Sequence, residues 1–244
     1  RRDIYGSEHH SKWMWSTRSV NNILVNGIGQ AQHSSSAVGE ITSFETGDRL
    51  DIVSGEAGSC YTVKKSEEYP DGHLLDRFTR TIIFAKPELV VMFDRLDAVQ
   101  PSTFDYLLHA CNEIEVDADT QKLMVSKGEV VCPIELLEPQ GLKFSQTNEY
   151  DPNPRERIKL REWHLTASTT EKAKSAAFVA VMRPQKKSEA KQLATELTKI
   201  DGGYLLQAEL KDGGRLVAIL PTEDKTIEAE GLKSEGGQVV AEVR

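Results

Sequence analysis

At 244 residues, with 39% apolar and 28% charged side chains, the chain has the make-up of a folded globular protein and room for one large domain or two small ones. Its 30 Lys and Arg against 38 Asp and Glu leave a net charge of −8, which excludes the sequence-independent attraction to phosphate backbones that general nucleic-acid binders use. Apolar runs such as Ile82–Ala85 and Leu89–Phe93 fall far short of the roughly 20 residues that span a bilayer, so a membrane span is excluded too.

Alternating, β-branched and aromatic-rich stretches dominate the chain and predict strands. In order they are Asn22–Val25, Ile41–Phe44, Leu50–Val53, Arg80–Phe84, Leu89–Phe93, Phe104–Leu108, Glu113–Val116, Lys122–Val125 and Val130–Leu136. Trp163–Thr166, Ala177–Met182, Tyr204–Leu210, Leu216–Leu220 and Val239–Val243 follow. Turn signals separate them, among them Asn26-Gly27, Pro70-Asp71-Gly72, Lys127-Gly128, Asp201-Gly202-Gly203 and Asp212-Gly213-Gly214. Ser188–Ile200 has helical spacing at Ala190, Leu193, Ala194 and Leu197, and reads equally as a loop followed by a strand. Many short strands with almost no helix predict an all-β fold, a large antiparallel β-sandwich of stacked sheets. No Pro- or Ser-rich linker divides the chain, so residues 1–244 read as one domain, with Thr147–Arg157 as an irregular excursion. Cys60, Cys111 and Cys132 show no metal or redox spacing and read as small core residues, with one disulfide left open.

Residues 1–30 stand apart. Arg1, Arg2, Lys12 and Arg18 outweigh Asp3 and Glu8, reversing the sign of the whole chain, and His9, His10, Trp13 and Trp15 sit among them. Imidazoles serve as acid, base or metal ligand near neutral pH. Indole faces stack on sugar rings, and a guanidinium forks a carboxylate or sulfate. The plain structural alternative is an amphipathic loop whose Trp side chains cap the sandwich.

Tyr5-Gly6-Ser7, His9-His10, Trp13 and then Thr17-Arg18-Ser19, Asn21-Asn22-Ile23-Leu24-Val25-Asn26-Gly27 and Gly29-Gln30 resemble the start of the C-terminal β-sandwich of heparinase II/III-like polysaccharide lyases. Ser54-Gly55-Glu56-Ala57, Arg80–Phe84 with Val90–Arg95, Tyr106–His109 and Phe178–Pro184 carry the resemblance on, roughly across residues 5–185. It implies β-elimination on an acidic, uronic-acid-containing polysaccharide, with the sandwich facing an N-terminal (α/α) toroid that lies outside this sequence. It also implies a periplasmic or secreted enzyme, although Arg1–Gly6 shows no signal-peptide run. By the same resemblance His9, His10 and Asn21 are the catalytic positions, and Trp13, Trp15, Arg18 and Asn22 contact substrate. Many relatives carry His-Asn where this chain has Asn21-Asn22; an amide is no base, so Asn21 would hydrogen-bond a carboxylate or orient a neighbouring imidazole. The elimination needs no cofactor, but some relatives hold a structural zinc, for which His33 and Glu56 are the ligands to expect here.

Three functions follow for comparison: the sandwich of a lyase, inactive by itself; a non-catalytic carbohydrate-binding module; and a purely structural β-domain. Elsewhere His73 reads as a solvated turn residue, His109 and His164 as satisfied sheet histidines, and Asp94-Arg95 as a structural ion pair.

Overall fold

The computed structural model describes residues 3–159 and 161–244; Arg1, Arg2 and Leu160 lie outside it. Antiparallel strands make up nearly all its regular structure. The first six are β1 (Ile23–Val25), β2 (Glu40–Thr46), β3 (Leu50–Glu56), β4 (Leu75–Ala85), β5 (Leu89–Ser102) and β6 (Phe104–Ala110). Next come β7 (Glu115–Asp117), β8 (Lys122–Lys127), β9 (Val130–Glu138), β10 (Lys143–Thr147), β11 (Trp163–Ser168), β12 (Ala173–Met182) and β13 (Gln185–Lys186). The last are β14 (Thr195–Ile200), β15 (Gly203–Glu209), β16 (Arg215–Pro221), β17 (Ile227–Ala229), β18 (Leu232–Ser234) and β19 (Val240–Val243).

A nine-stranded sheet forms the middle layer, ordered β2-β3-β4-β5-β12-β9-β8-β7 with β13 beside β9. The four-stranded sheet β1-β6-β11-β10 covers one face, and β14-β15-β16-β19 covers the other. The hairpin β17–β18 packs behind that second sheet through Ile227 and Leu232. The fold is the expected all-β sandwich, with a third layer. Burial on both faces explains why Leu89–Phe93 is apolar without alternation. Val91 and Phe93 point into the core shared with β15 and β16, while Met92 and Leu96 point toward β6 and β11. Phe178 and Ala180 divide from Val179 and Val181 in the same way along β12.

Several expectations need correction. Ser188–Ile200 is the loop and strand of its second reading: a short 3-10 turn at Lys187–Glu189, an irregular stretch, then β14 paired to β15. Asp94 and Arg95 do not pair with each other, because neighbours along a strand face opposite ways. Asp94 is fully buried and takes a two-pronged ion pair from Arg80, at 2.6 Å on each oxygen. Arg95 instead donates to Asp224 at 2.7 Å from the other face. Cys60 is a core residue, but Cys132 is half-buried, Cys111 is exposed, and all three are free thiols.

Two features aim the chain toward the site. Asn26-Gly27 forms the expected tight turn, with φ of 52° and 74°, and returns Ile28 onto Val25. The second is Arg80, whose guanidinium reaches past Asp94 to donate to the Asn21 carbonyl at 2.8 Å. A core ion pair therefore fixes the residue at which the opening segment enters β1.

Candidate functional site

Along β6, Phe104, Tyr106 and Leu108 face the core, which leaves His109 on the outer face of the four-stranded sheet. The register places His164 of β11 directly opposite His109. Two irregular segments cover this outer patch, one ending at β1 and one following β10.

The first is the opening segment. It has no alternating apolar row with which to join a sheet, and it is rich in Ser and Thr, which bond to nearby backbone instead. It coils through a π-type turn at His9–Met14 and a 3-10 turn at Thr17–Ser19. Ser16 Oγ donates to the Trp13 carbonyl at 2.7 Å, and Ser19 Oγ to the Met14 carbonyl at 3.1 Å. Gln30 N–H donates to Thr17 Oγ1 at 2.7 Å and ties the coil to the far side of the Asn26-Gly27 turn. The second cover is the excursion carrying Tyr150 and Pro152, joined to the first by Arg155 Nε donating to Asp3 Oδ1 at 2.7 Å. Desolvation works against the Asp3 carboxylate, but donation from Ile4 N–H, Arg155 N–H and the Arg155 guanidinium holds its pKa down to about 2.

Under these covers five rings meet. Trp13 lies 4.9 Å from His164 and 5.3 Å from Tyr150, centroid to centroid. Tyr150 is 4.7 Å from His164 and 5.0 Å from His9, and His109 is 5.1 Å from His164. The three imidazoles differ in what their nitrogens meet. His9 Nδ1 is 2.8 Å from the Pro152 carbonyl, which accepts only; Nδ1 is therefore the donor, and in the neutral ring Nε2 keeps its lone pair. His109 is clamped: its Nδ1 and its backbone N–H both lie 2.9 Å from Asn21 Oδ1, and its Nε2 lies 2.9 Å from the Arg18 carbonyl. Both ring contacts are hydrogen bonds only when the ring is protonated. Burial lowers its pKa and opposes that, while the Arg18 carbonyl favours it. His164 is buried with neither ring nitrogen partnered. Desolvation first, and then the neighbouring His109, push its pKa down to about 4 against a weaker upward pull from the nearby Glu149 backbone, so it is neutral at physiological pH. The Tyr150 hydroxyl accepts from Glu162 N–H at 2.8 Å, which leaves its own proton free to donate.

The structure thus brings together three of the expected residues, His9, Trp13 and Asn21, with Arg18 at the margin through its carbonyl. It turns His10 and Trp15 the other way, toward Tyr5 and His33 on the surface. Asn22 is directed inward: its Oδ1 accepts from Ile23 N–H at 2.9 Å and from the Tyr61 hydroxyl at 3.3 Å. It lines a separate groove of about 390 Å³ with Gln30, Glu56 and Arg80. His33 and Glu56 do not fit a zinc site. Glu56 Oε1 accepts from Gly58 and Phe78 N–H at 2.7 and 3.0 Å, and Oε2 from Thr79 Oγ1 at 2.8 Å, so both oxygens are already committed within the fold. Among the described residues no three His, Cys, Asp or Glu side chains gather as a metal-holding group.

Sequence reading missed His109, His164 and Tyr150 as site residues. It took both histidines as satisfied sheet residues; both ring nitrogens of His109 do lie against acceptors, whereas those of His164 meet no partner. The usable signal was a His on each of two strands, but their pairing across 55 positions was not legible. His73 is also half-buried, with Nδ1 unpartnered, where a solvated ring was expected.

The fold and this site define a multilayered β-sandwich carrying an imidazole and aromatic cluster on its outer face. No protein-family model and no curated protein sequence matches the chain. Solved structures do. The chain is similar to heparan sulfate lyase HepC from Pedobacter heparinus, with a TM-score of 0.64 and 14% identity over 91% of this chain. Two heparinase III structures give TM-scores of 0.63 and 0.62 at 10% identity, over 98% and 97% of this chain. The match takes in 33% of HepC and 32% and 31% of the two heparinase III chains, so this chain spans about a third of their length. At such identities the likeness is one of fold. No helix among the described residues is long and apolar enough to cross a membrane.

Proposed function

We propose that this chain is the β-sandwich of a secreted or periplasmic polysaccharide lyase, which it serves by lining one side of a cleft shared with an N-terminal (α/α) toroid. The observation that carries the reading is the convergence of His9, His109 and His164 with Trp13 and Tyr150 on a fold shared with heparan sulfate lyases. In β-elimination a base removes the C5 proton of a uronate. The C–H electron pair becomes the C4=C5 double bond, the C4–O glycosidic bond breaks, and an acid protonates the departing oxygen. His9 suits the base: the Pro152 carbonyl fixes the tautomer that leaves Nε2 unprotonated. Asn21 takes the orienting role, holding His109 through Oδ1. Neutralising the reacting uronate carboxylate, which makes C5–H acidic, falls to the toroid side of the cleft.

The test is the ultraviolet signal of unsaturated uronate, followed on a panel of uronic-acid polysaccharides with this chain alone and with a longer parent chain carrying the toroid. The signal is expected with the longer chain only, and His9→Ala in that chain should lower turnover by about 100-fold or more. Absence of the signal from both, with a glycan still retained by the short chain, would instead make it a carbohydrate-binding module. Near-normal turnover in His9→Ala would remove His9 from the chemistry.

A further inference from the structure

A second group of rings lies on the surface beside the buried cluster. Tyr5, His10, Trp15 and His33 form a continuous row, with centroid separations of 4.6 Å, 5.7 Å and 4.6 Å in that order. Tyr5 is 85% exposed and Trp15 48% exposed, and exposed aromatics joined in one row form the kind of contiguous surface patch that marks a binding site. The row is built deliberately by the backbone. Gly6, at φ 82°, turns Tyr5 back over His10, a conformation that a side chain at position 6 would resist. Gly6 N–H then donates to His10 Nδ1 at 3.3 Å, so in the neutral ring the proton sits on Nε2 as a free donor. His33 itself adopts φ 51°, a left-handed conformation that is uncommon for His, and in it the ring rests on Trp15. Such backbone strain gathers at binding sites.

The unpaired charge of the opening segment is positive. Asp3 and Glu8, the acidic residues of the opening segment, are taken up by Arg155 and Lys12. Arg18 is exposed, donates to the Gly27 carbonyl at 3.1 Å, and has no carboxylate within 4.0 Å among the described residues.

From this we infer that Tyr5, His10, Trp15 and His33 form a stacking subsite for an acidic pyranose of a polysaccharide, with Arg18 as its carboxylate contact. Indole and phenol faces take the C–H face of a sugar ring, imidazole N–H groups reach its hydroxyls, and the guanidinium takes the uronate. The inference rests on the polysaccharide reading above and adds to it. His10 and His33 become binding residues, not a base and a metal ligand, and substrate extends from the buried cluster across the π-type turn onto the surface.

The experiment titrates this chain with a heparan sulfate hexasaccharide and, as a neutral control, cellohexaose, reading affinity by calorimetry and integrity by thermal melting. Trp15→Ala and Tyr5→Ala should each weaken hexasaccharide binding about tenfold or more with unchanged melting. Arg18→Gln should weaken the acidic ligand and leave the neutral one as it was. If wild type binds and Trp15→Ala binds equally well, the subsite is overturned and the polysaccharide reading survives. If wild type binds neither ligand, the subsite is overturned as well, and the unsaturated-uronate assay on the longer chain judges the lyase reading separately. Loss of binding in Arg18→Gln with none in Trp15→Ala and Tyr5→Ala would leave an ionic contact without stacking, and would also overturn it.

Discussion

His164→Phe is the most informative single change, because it separates a site histidine from the fold that holds it. The native ring is buried between Trp13, Tyr150 and His109 with both nitrogens unpartnered, and its pKa is about 4. In the unfolded chain a histidine titrates near 6.5. As pH falls below that value the unfolded state takes up a proton that the folded state refuses, so stability is full above about 6.5 and declines down to about 4. The separation corresponds to about 3 kcal/mol in total, and to about 2 kcal/mol already at pH 5. Carboxylates titrate mostly below this window, which leaves it to the histidines.

Phenylalanine fits the same aromatic surroundings without the two stranded nitrogens. Urea denaturation at pH 7.5, 6, 5 and 4.5 is therefore expected to show His164→Phe at least as stable as wild type at pH 7.5, with most of the acid-side loss abolished. Parallel pH profiles for the two proteins would refute the argument, since they would mean that His164 finds a partner or water in solution.

The remaining predictions test the supports of the site. Asn21→Asp puts a carboxylate against His109 Nδ1, and should raise the His109 pKa by about one to three pH units, read from its ring resonances by NMR; no rise would mean the contact is not formed. Trp13→Ala opens the cover over His164, so its pKa should climb from about 4 toward 6.5 while the melting temperature falls only modestly. Asp94→Ala strands the Arg80 charge and should cost about 3–5 kcal/mol in urea denaturation, and Arg80→Met with Asp94→Leu should recover most of it. A loss below about 1 kcal/mol in the single variant would show that the pair is solvated.

How much of this was legible depended on how local each feature is. Alternation located most strands, and Asn26-Gly27 gave its hairpin turn, because both signals are contained within a few residues. Strand β10 escaped notice because its residues are exposed or half-buried, and β17 because three residues are too few to carry an alternation. Ser188–Ile200 was ambiguous because Leu193 and Leu197 suit a helix face, yet strand pairing with Leu206 decides the outcome from a distance. The site was legible to the same degree. His9 and Trp13 stood out by composition in the opening segment. His109, Tyr150 and His164 come from three further places in the chain, and only the register of β6 against β11 and the fold of one excursion unite them.

The exchange at position 21 shows why that distinction matters for the chemistry. A sequence reading that looks for an imidazole just before β1 finds an amide, which can only hydrogen-bond a carboxylate or orient an imidazole from elsewhere. In the fold, Asn21 Oδ1 holds the imidazole of His109, which arrives from the adjacent strand, and Arg80 holds the Asn21 carbonyl from the core. An imidazole is therefore present at the place, delivered by a neighbour and aligned by the residue that stands where it was sought. The clamp also explains why an amide suits the position: its oxygen accepts from both the backbone and the ring of His109, whereas an imidazole nitrogen there offers one lone pair for two donors.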